Sequence, residues 1–303
     1  MRIGIDVGGT KTESVGLDDR GTVVAHDVRP TGFGLAAVVA TVQASVDELV
    51  RQSEASRAPA SVGVGIPGLV DPRTGTLLHA VNLGIDEVRL GEELAGSLGV
   101  PVSIENDVNA AALGAYRALS RDALRPLRSL AFLNVGTGLA AGIVVGGMLL
   151  SGANGTAGEI GHIPVRSDGP RCRCGQTGCL EAIASGHAVA TRWPSSAEHP
   201  VLELFRASRQ GDPLAGILTR DMVDGIAAAI RMLVVAFDVE QVVVGGGLTR
   251  VGAELQDPVL RRLRSWEGDS PFLRALDVPG RVAFGAPIDA VAAVGAALLE
   301  VSA

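Results

Sequence analysis

The sequence has no hydrophobic run long enough to cross a membrane. Its most apolar runs, Leu139–Leu150 and Ile226–Phe237, are about 12 residues each, and a transmembrane helix needs about 20. The start of the chain does not follow a secretory pattern, because Asp6 interrupts its apolar residues. These features predict a soluble, cytoplasmic protein without a membrane partner.

Lysine is almost absent as well. Lys11 is the only lysine among 26 basic residues, and 33 acidic residues give a net charge of -7. A surface that binds nucleic acid needs clustered basic residues, so this balance argues against a nucleic-acid partner. Because arginine is the general basic residue of this chain, an arginine-rich spot is weak evidence for a phosphate site.

Cysteine is scarce, and all of it lies in one short stretch. Cys172, Cys174 and Cys179 form the pattern C-x-C-G-x-x-G-C, and His162 precedes them. One nitrogen and three sulfurs complete a tetrahedral zinc shell, which leaves no position for a reacting water. The pattern therefore predicts a structural zinc ion. Three buried thiols without a metal are the alternative.

Two carboxylates flank this cysteine stretch. Glu159 precedes His162, and Glu181 follows the last cysteine. If His162 binds zinc through one ring nitrogen, the other nitrogen stays available to a neighbouring group or a ligand hydroxyl. We expect a polar pocket held in place by the metal. Solvated glutamates, or glutamates at helix ends, are the alternative.

The chain opens as a strand, a glycine turn at Gly8–Thr12 and a second strand. No helix follows the glycines, so this is not a P-loop. Backbone N–H groups in such a turn can still approach an anion. Gly136–Gly138 repeats the layout, which predicts a duplicated fold with a nucleotide bound between its halves. A plain tight hairpin remains the alternative.

A possible catalytic carboxylate follows another strand. Glu105-Asn-Asp-Val-Asn stands between a strand at Val100–Ile104 and a helix at Ala110–Leu119, so Asn106 or Asp107 fits as the helix N-cap. Open α/β sheets also place ligand-handling groups at this position. The helix dipole would keep such a carboxylate ionised and ready to accept a proton.

Several motifs together resemble the ROK family of sugar kinases, in the family's order and over nearly the whole chain. They are Asp6-Val-Gly-Gly-Thr-Lys-Thr, Gly65-Ile-Pro-Gly, Glu105-Asn-Asp-Val-Asn, Gly136-Thr-Gly, Glu159-Ile-Gly-His and Cys172-x-Cys-Gly-x-x-Gly-Cys-Leu-Glu. The cysteine motif with its Glu-x-Gly-His partner is the most specific of them.

The resemblance implies an α/β fold of the actin-like, hexokinase type (ribonuclease H-like), internally duplicated, with two domains flanking a nucleotide and sugar cleft. We expect a small N-terminal domain at 1–110 plus 288–303 and a large domain at 111–287 that carries the zinc site. A length of 303 residues also favours two domains. A homodimer or homotetramer is expected.

The resemblance further implies an ATP-dependent kinase that phosphorylates a hexose, glucose first, at the 6-hydroxyl. Asp107 would be the general base, and Asp6 would assist Mg²⁺. The sugar would be held by Gly68, Asn82, Asn106, Asp107, Glu159, His162 and Glu181. The nucleotide would be held by Gly8, Gly9, Thr10, Lys11, Thr12, Gly136, Thr137, Gly138, Gly245, Gly246 and Gly247.

Two departures from the family pattern bear on specificity. The sugar-side loop at Asn82–Glu87 lacks the tryptophan often found there, which leaves the sugar open. Ala140 replaces a frequent glycine after the second turn, and its methyl group could change nucleotide affinity.

Other functions remain open. The same family includes kinases of N-acetylmannosamine, N-acetylglucosamine, allose and fructose. A catalytically silent sugar-binding protein is a further alternative. A sugar-responsive transcription regulator is disfavoured because the first strand begins at Arg2, with no DNA-binding motif before it. Polyphosphate as donor is disfavoured because relatives that use it usually lack the cysteine motif.

Overall fold

The computed structural model describes residues 1–53, 58–71, 73–121, 125–197 and 199–300 of a mixed α/β protein. It divides into two compact units. The first comprises Met1–Pro126, Gly142–Ala157 and Pro287–Ala303, and the second comprises Leu127–Ala141 and Gly158–Ala286. The expected domains, 1–110 with 288–303 and 111–287, stay a prediction. The compact units differ from them, because residues 111–126 and 142–157 belong to the first unit.

The first unit is built on a five-stranded sheet with the order β3-β2-β1-β4-β8. The first three strands form the expected antiparallel meander, and β1, β4 and β8 run parallel. A small antiparallel sheet, β5-β6-β7, was not expected from the sequence. The strands are β1 (Arg2–Val7), β2 (Lys11–Leu17), β3 (Val23–Pro30), β4 (Ser61–Ile66), β5 (Leu69–Asp71), β6 (Thr76–Ala80), β7 (Ile85–Arg89) and β8 (Val102–Asn106).

Three helices follow strands of this unit: α1 (Leu35–Gln52), α2 (Leu90–Leu98) and α3 (Asp107–Ser120). Helix α1 has an amphipathic pattern, and its Val38, Val42 and Leu49 are fully buried in the core that also contains side chains of β1 and β4. The middle of each of these strands, Ile3–Ile5 and Val62–Ile66, consists of apolar residues and glycine, as strands buried on both faces do.

The second five-stranded sheet has the order β11-β10-β9-β12-β13. Its strands are β9 (Ser129–Val135), β10 (Leu139–Val145), β11 (Met148–Leu149), β12 (Gln241–Gly245) and β13 (Val282–Phe284), and the boundary between the units falls within β10. Strands β9, β12 and β13 are parallel. Position by position this order repeats that of the first sheet, so the duplication expected from the two hairpins is confirmed.

The second unit contains the helices α4 (Leu180–Ala184), α5 (Gly186–Arg192), α6 (Pro200–Arg209), α7 (Pro213–Phe237), α8 (Ala253–Asp269) and α9 (Pro271–Leu276). The long helix α7 packs against α4, α6 and α8. Asp212 caps it by accepting a hydrogen bond from the Ala215 N–H at 2.8 Å. Within the described ranges, no helix is both long and apolar enough to cross a membrane.

The last helix, α10 (Val291–Ala296), returns to the first unit and packs on β1, β4 and α3. Glycines allow this contact. A Cβ on Gly63 would lie 1.8 Å from the Ala296 carbonyl oxygen, and one on Gly295 would lie 1.7 Å from that of Ala110. The backbones of α10, β4 and α3 therefore touch directly.

We predict that Gly295→Ala lowers the free energy of unfolding by about 3 kcal/mol or more, because the added methyl group overlaps a backbone oxygen that cannot rotate away. Gly96→Ala is the matched control, since Gly96 lies in helix α2 and a Cβ added there would have no neighbour within 4 Å. It should stabilise the protein by up to about 1 kcal/mol. Urea denaturation of both variants measures the difference, and equal stabilities would contradict the prediction.

Candidate active site and zinc site

The position of Asp107 is set by the abrupt change from strand β8 to helix α3. Asn106 is the N-cap: its side-chain oxygen accepts hydrogen bonds from the N–H groups of Val108 at 2.9 Å and Asn109 at 3.3 Å. Of the two caps that the sequence allowed, the structure selects Asn106. Asp107 is thus the first helical residue, where the helix dipole favours a negative charge.

A buried network that the sequence analysis did not identify holds this turn. Oε1 of Glu105, a residue only 4% exposed, accepts hydrogen bonds from the Asn106 N–H at 2.8 Å and from Asn109 Nδ2 at 3.0 Å. Asn106 Nδ2 donates to the Gly68 carbonyl at 3.1 Å. Burial raises the pKa of Glu105 above its ordinary value. The spacing alone did not indicate this bond, because Glu105 lies in strand β8 and Asn109 in helix α3.

Asp6 lies near the carboxyl end of β1, next to the strand that pairs with β8. Its burial, with the negative charges of Asp107 and Glu13, raises its pKa from 3.8 to about 7, against the opposing effect of Lys11. The three carboxylates outnumber the one lysine, so the negative charge around Asp6 is not fully neutralised. Carboxylate oxygens are preferred ligands of Mg²⁺, so the expected role of Asp6 at Mg²⁺ is chemically reasonable and stays a prediction.

The first glycine turn presents only part of the expected phosphate site. Gly9, Thr10 and Lys11 are exposed, and the Gly8 N–H closes the turn by donating to the Lys11 carbonyl at 2.9 Å. Thr12 is fully buried, and its hydroxyl lies 2.9 Å from that of Thr31. The Thr12 hydroxyl is therefore engaged inside the protein rather than presented to a ligand.

Asn82, expected at the sugar, lies in a short 3₁₀ helix at Val81–Leu83 and is exposed. The loop adjoins the first turn, since a Cβ on Gly9 would lie 3.8 Å from the Asn82 Cβ. The first unit thus places the predicted sugar loop beside the predicted phosphate turn.

In the second unit, Glu159, His162 and Glu181 come together, although the cysteine stretch separates them in sequence. Glu159 precedes a 3₁₀ helix at Ile160–His162, and Glu181 lies in the first turn of α4. Burial raises the pKa of Glu159; His162 lowers it and Glu181 raises it. The three side chains therefore form one polar group, and their role toward ligand hydroxyls stays a prediction.

The second glycine turn is tied to this group and to helix α5. The Leu139 N–H, which follows Gly138, donates to Glu181 Oε2 at 3.0 Å. The carbonyls of Gly136 and Thr137 accept hydrogen bonds from the N–H groups that begin α5, at 2.8 and 3.1 Å. These hydrogen bonds hold the turn against helix α5, and Thr137 is exposed at the tip of the turn.

The three glycines expected to approach adenosine differ from one another. A Cβ on Gly245 would lie 2.2 Å from the ring of Phe132, and one on Gly246 would lie 2.4 Å from Asn134 Oδ1. Both glycines are therefore required by packing against β9. Gly247 has nothing within 4 Å of a Cβ position, and it alone of the three faces open space among the described residues.

The predicted zinc ligands converge in the same unit. One ligand atom from each of His162, Cys172, Cys174 and Cys179 lies within 4.8 Å of all the others. Cys172 Sγ is 3.7 Å from His162 Nδ1, and Cys174 Sγ is 3.7 Å from Cys179 Sγ. Zinc–sulfur bonds of about 2.3 Å in a tetrahedron require such separations. The residues fit zinc, with His162 Nε2 as the nitrogen that remains for another group.

The thiols differ in how readily they ionise without a cation. N–H groups of Gln176 lower the pKa of Cys174 to about 6, whereas burial and the neighbouring sulfurs raise the pKa of Cys179 to about 12. Zinc binds the thiolate form. Cys179 therefore needs the metal's charge in order to ionise, and Cys174 already favours the ligating form.

The sequence model of the ROK family matches residues 2–299. The chain belongs to the ROK family. It is 32% identical over 284 residues to a glucokinase of Halalkalibacterium halodurans, covering 87% of this chain and 85% of the relative. An N-acetylmannosamine kinase of Pasteurella multocida is 36% identical over 192 residues, covering 62% of this chain and 63% of the relative.

Among solved structures, a ROK family glucokinase from Streptomyces griseus in complex with glucose and AMPPNP is similar, with a TM-score of 0.75 and 31% identity over 98% of this chain and 97% of that one. The expected hexokinase-type α/β fold of this ROK protein is thereby confirmed.

We predict that the purified ROK protein contains about one zinc ion per chain and that Cys174→Ser loses it, with a lower melting temperature, because a zinc shell contributes directly to folding. Arg173→Ala is the control, since Arg173 is exposed and lies between two ligands without being one. Elemental analysis and thermal unfolding measure both effects. A zinc-free protein that chelators do not destabilise would contradict the prediction.

A second prediction follows from the raised pKa of Asp6. Between about pH 4 and 7 the folded protein holds a proton there that the unfolded chain has released, so this residue's contribution to stability falls as pH rises. The slope is up to about 1 kcal/mol per pH unit. Asp6→Asn should flatten the pH dependence in Mg²⁺-free buffer, whereas Asp19→Asn, in an exposed turn, should not. Identical pH profiles for the Asp6 variant and the wild type would refute this.

Proposed function

We propose that the protein is an ATP-dependent sugar kinase that phosphorylates a hexose, with glucose as the first candidate and the 6-hydroxyl as acceptor. The observation that carries the proposal is the 32% identity to a glucokinase over most of both chains. The buried network around Asp107 gives this activity a chemical basis in the chain itself.

Asp107 is proposed as the general base that accepts the proton of the attacking hydroxyl. Its backbone position is fixed on one side by the Asn106 cap and behind it by Glu105. A carboxylate needs only correct placement to accept a proton in phosphoryl transfer, which depends mainly on positioning and charge neutralisation. A general base typically contributes about 10²–10⁴-fold to the rate.

Asp6 is proposed to hold the Mg²⁺ that accompanies ATP. Bound Mg²⁺ would neutralise charge on the transferred phosphoryl group. The exposed residues Gly9–Lys11 of the first turn, and the exposed Thr137 of the second, would bind phosphate oxygens. Gly247 would approach the adenosine, since a Cβ there would meet open space.

The sugar is proposed to bind through groups that accept hydrogen bonds and groups that donate them. Glu159 and Glu181 would accept hydrogen bonds from hydroxyls, and His162 Nε2 would contribute while Nδ1 binds zinc. In the first unit the corresponding groups are Gly68, Asn82 and Asn106. Because Glu181 also binds the Leu139 N–H, this proposed sugar-binding residue would be linked to the second glycine turn.

A kinase of N-acetylmannosamine is the second candidate, and the 36% identity to such an enzyme over 62% of the chain supports it. N-acetylglucosamine, allose and fructose kinases, and a silent sugar-binding protein, are further alternatives. We also propose structural zinc, a homodimer or homotetramer, and a cytoplasmic location.

The test is a coupled ADP-release assay with Mg-ATP across hexoses and N-acetylhexosamines. We predict turnover on one sugar above the others, and a loss of about 10²–10⁴-fold in kcat for Asp107→Asn with sugar binding retained. Asp19→Asn serves as the matched control. Near-wild-type turnover of Asp107→Asn would remove Asp107 from the role. Sugar binding without any turnover would favour the silent class.

A further inference from the structure

The segment Thr31–Gly34 joins the first phosphate turn to the sugar-side loop. The Thr31 hydroxyl donates to the Gly8 carbonyl at 2.7 Å, and its N–H donates to the Thr10 carbonyl at 3.1 Å. At the other end of the segment, the Gly34 N–H donates to the Leu83 carbonyl at 2.8 Å. Phe33 is therefore presented on a short, bonded connection.

Phe33 is unusual for a large apolar side chain because it is 74% exposed. Its ring lies against the backbone of Gly84, where ring atoms come within 2.5–3.1 Å of the position a Cβ would take. Val81, the first residue of the 3₁₀ helix that carries Asn82, is 78% exposed. Val81 is the sequence neighbour of the polar Asn82, and Phe33 contacts Gly84 two residues after it, so both exposed apolar side chains belong to the surroundings of this loop.

The first unit contains only two aromatic residues in its sequence, Phe33 and Tyr116. One of them is thus exposed beside a loop that carries no aromatic residue of its own. The contact with the Gly84 backbone limits the movement of the ring, although the ring is exposed. Two large apolar side chains exposed around one loop make that loop a candidate contact surface.

We propose that Phe33, with Val81, is the apolar platform against which the C–H face of the acceptor pyranose packs, and that Phe33 contributes to sugar selectivity. A pyranose has hydroxyls at its edge and C–H groups on its faces. Asn82 can bind the edge while the electron-rich face of an aromatic ring attracts C–H groups. This inference rests on the proposed function, which assigns the loop to the sugar.

The test compares Phe33→Ala, Phe33→Leu and Phe33→Tyr with the wild type. We expect Phe33→Ala and Phe33→Leu to raise the KM for sugar by about 10-fold, because losing roughly 50 Å² of apolar contact weakens binding by about that factor. The KM for ATP should stay unchanged. Phe33→Tyr keeps the ring and should remain within about 2-fold. Phe272→Ala, which removes a 61% exposed phenylalanine from the second unit, is the control.

A titration followed by proton NMR tests the contact independently of turnover. Sugar C–H protons should shift upfield on binding to the wild type, owing to the ring current, and this shift should be lost in Phe33→Leu. Full recovery by leucine would show that Phe33 only supports Gly84 and would overturn the proposal. So would a change of oligomeric state in Phe33→Ala with sugar affinity intact.

The two hypotheses can fail separately. If the wild type binds sugar but transfers no phosphate, the kinase proposal fails and the NMR titration still decides the role of Phe33. If turnover is normal and Phe33→Ala leaves the sugar KM unchanged, the platform is refuted and the kinase stands. If the wild type binds no sugar, both are refuted.

Discussion

Direct contact between backbones, made possible by missing side chains, is the constraint on which the first unit depends. Helix α10 lies against β1, β4 and α3, and Gly4, Gly63, Gly114 and Gly295 leave room for it. The same contact holds β1, which carries Asp6, beside α3, which carries Asp107. The two carboxylates of the proposed chemistry are thus positioned by a helix from the far end of the chain.

That placement has an electrostatic cost that fits a functional site. Asp6 is largely shielded from solvent beside Asp107 and Glu13, and its pKa is raised to about 7. A protein selected only for stability would avoid such a cluster, whereas a site for a metal-bound nucleotide uses it. In the second unit, zinc would hold the loop that carries His162, and Glu181 of helix α4 binds the residue that follows the second glycine turn.

Much of this was predictable from local patterns. The cysteine spacing, with His162, predicted a group of four zinc ligands, and those four side chains do lie together, because the signal lies in residue type and separation. The glycine turns and the apolar strands predicted a duplicated α/β fold, which the matching strand orders of the two sheets confirm. The helix start at Asp107 was predictable to within one residue, since cap residues and a following helical run mark it.

What the sequence by itself determined, then, was the fold class, the ROK family and the candidate chemical groups, because each depends on short patterns of residue types. Only the tertiary structure decided how those groups are used. It turned the Thr12 hydroxyl inward to Thr31, assigned Gly245 and Gly246 to packing, and brought Glu181 to the Leu139 N–H. It also exposed Phe33 beside Gly84. These are contacts between residues distant in sequence, and their geometry depends on packing that no local pattern encodes.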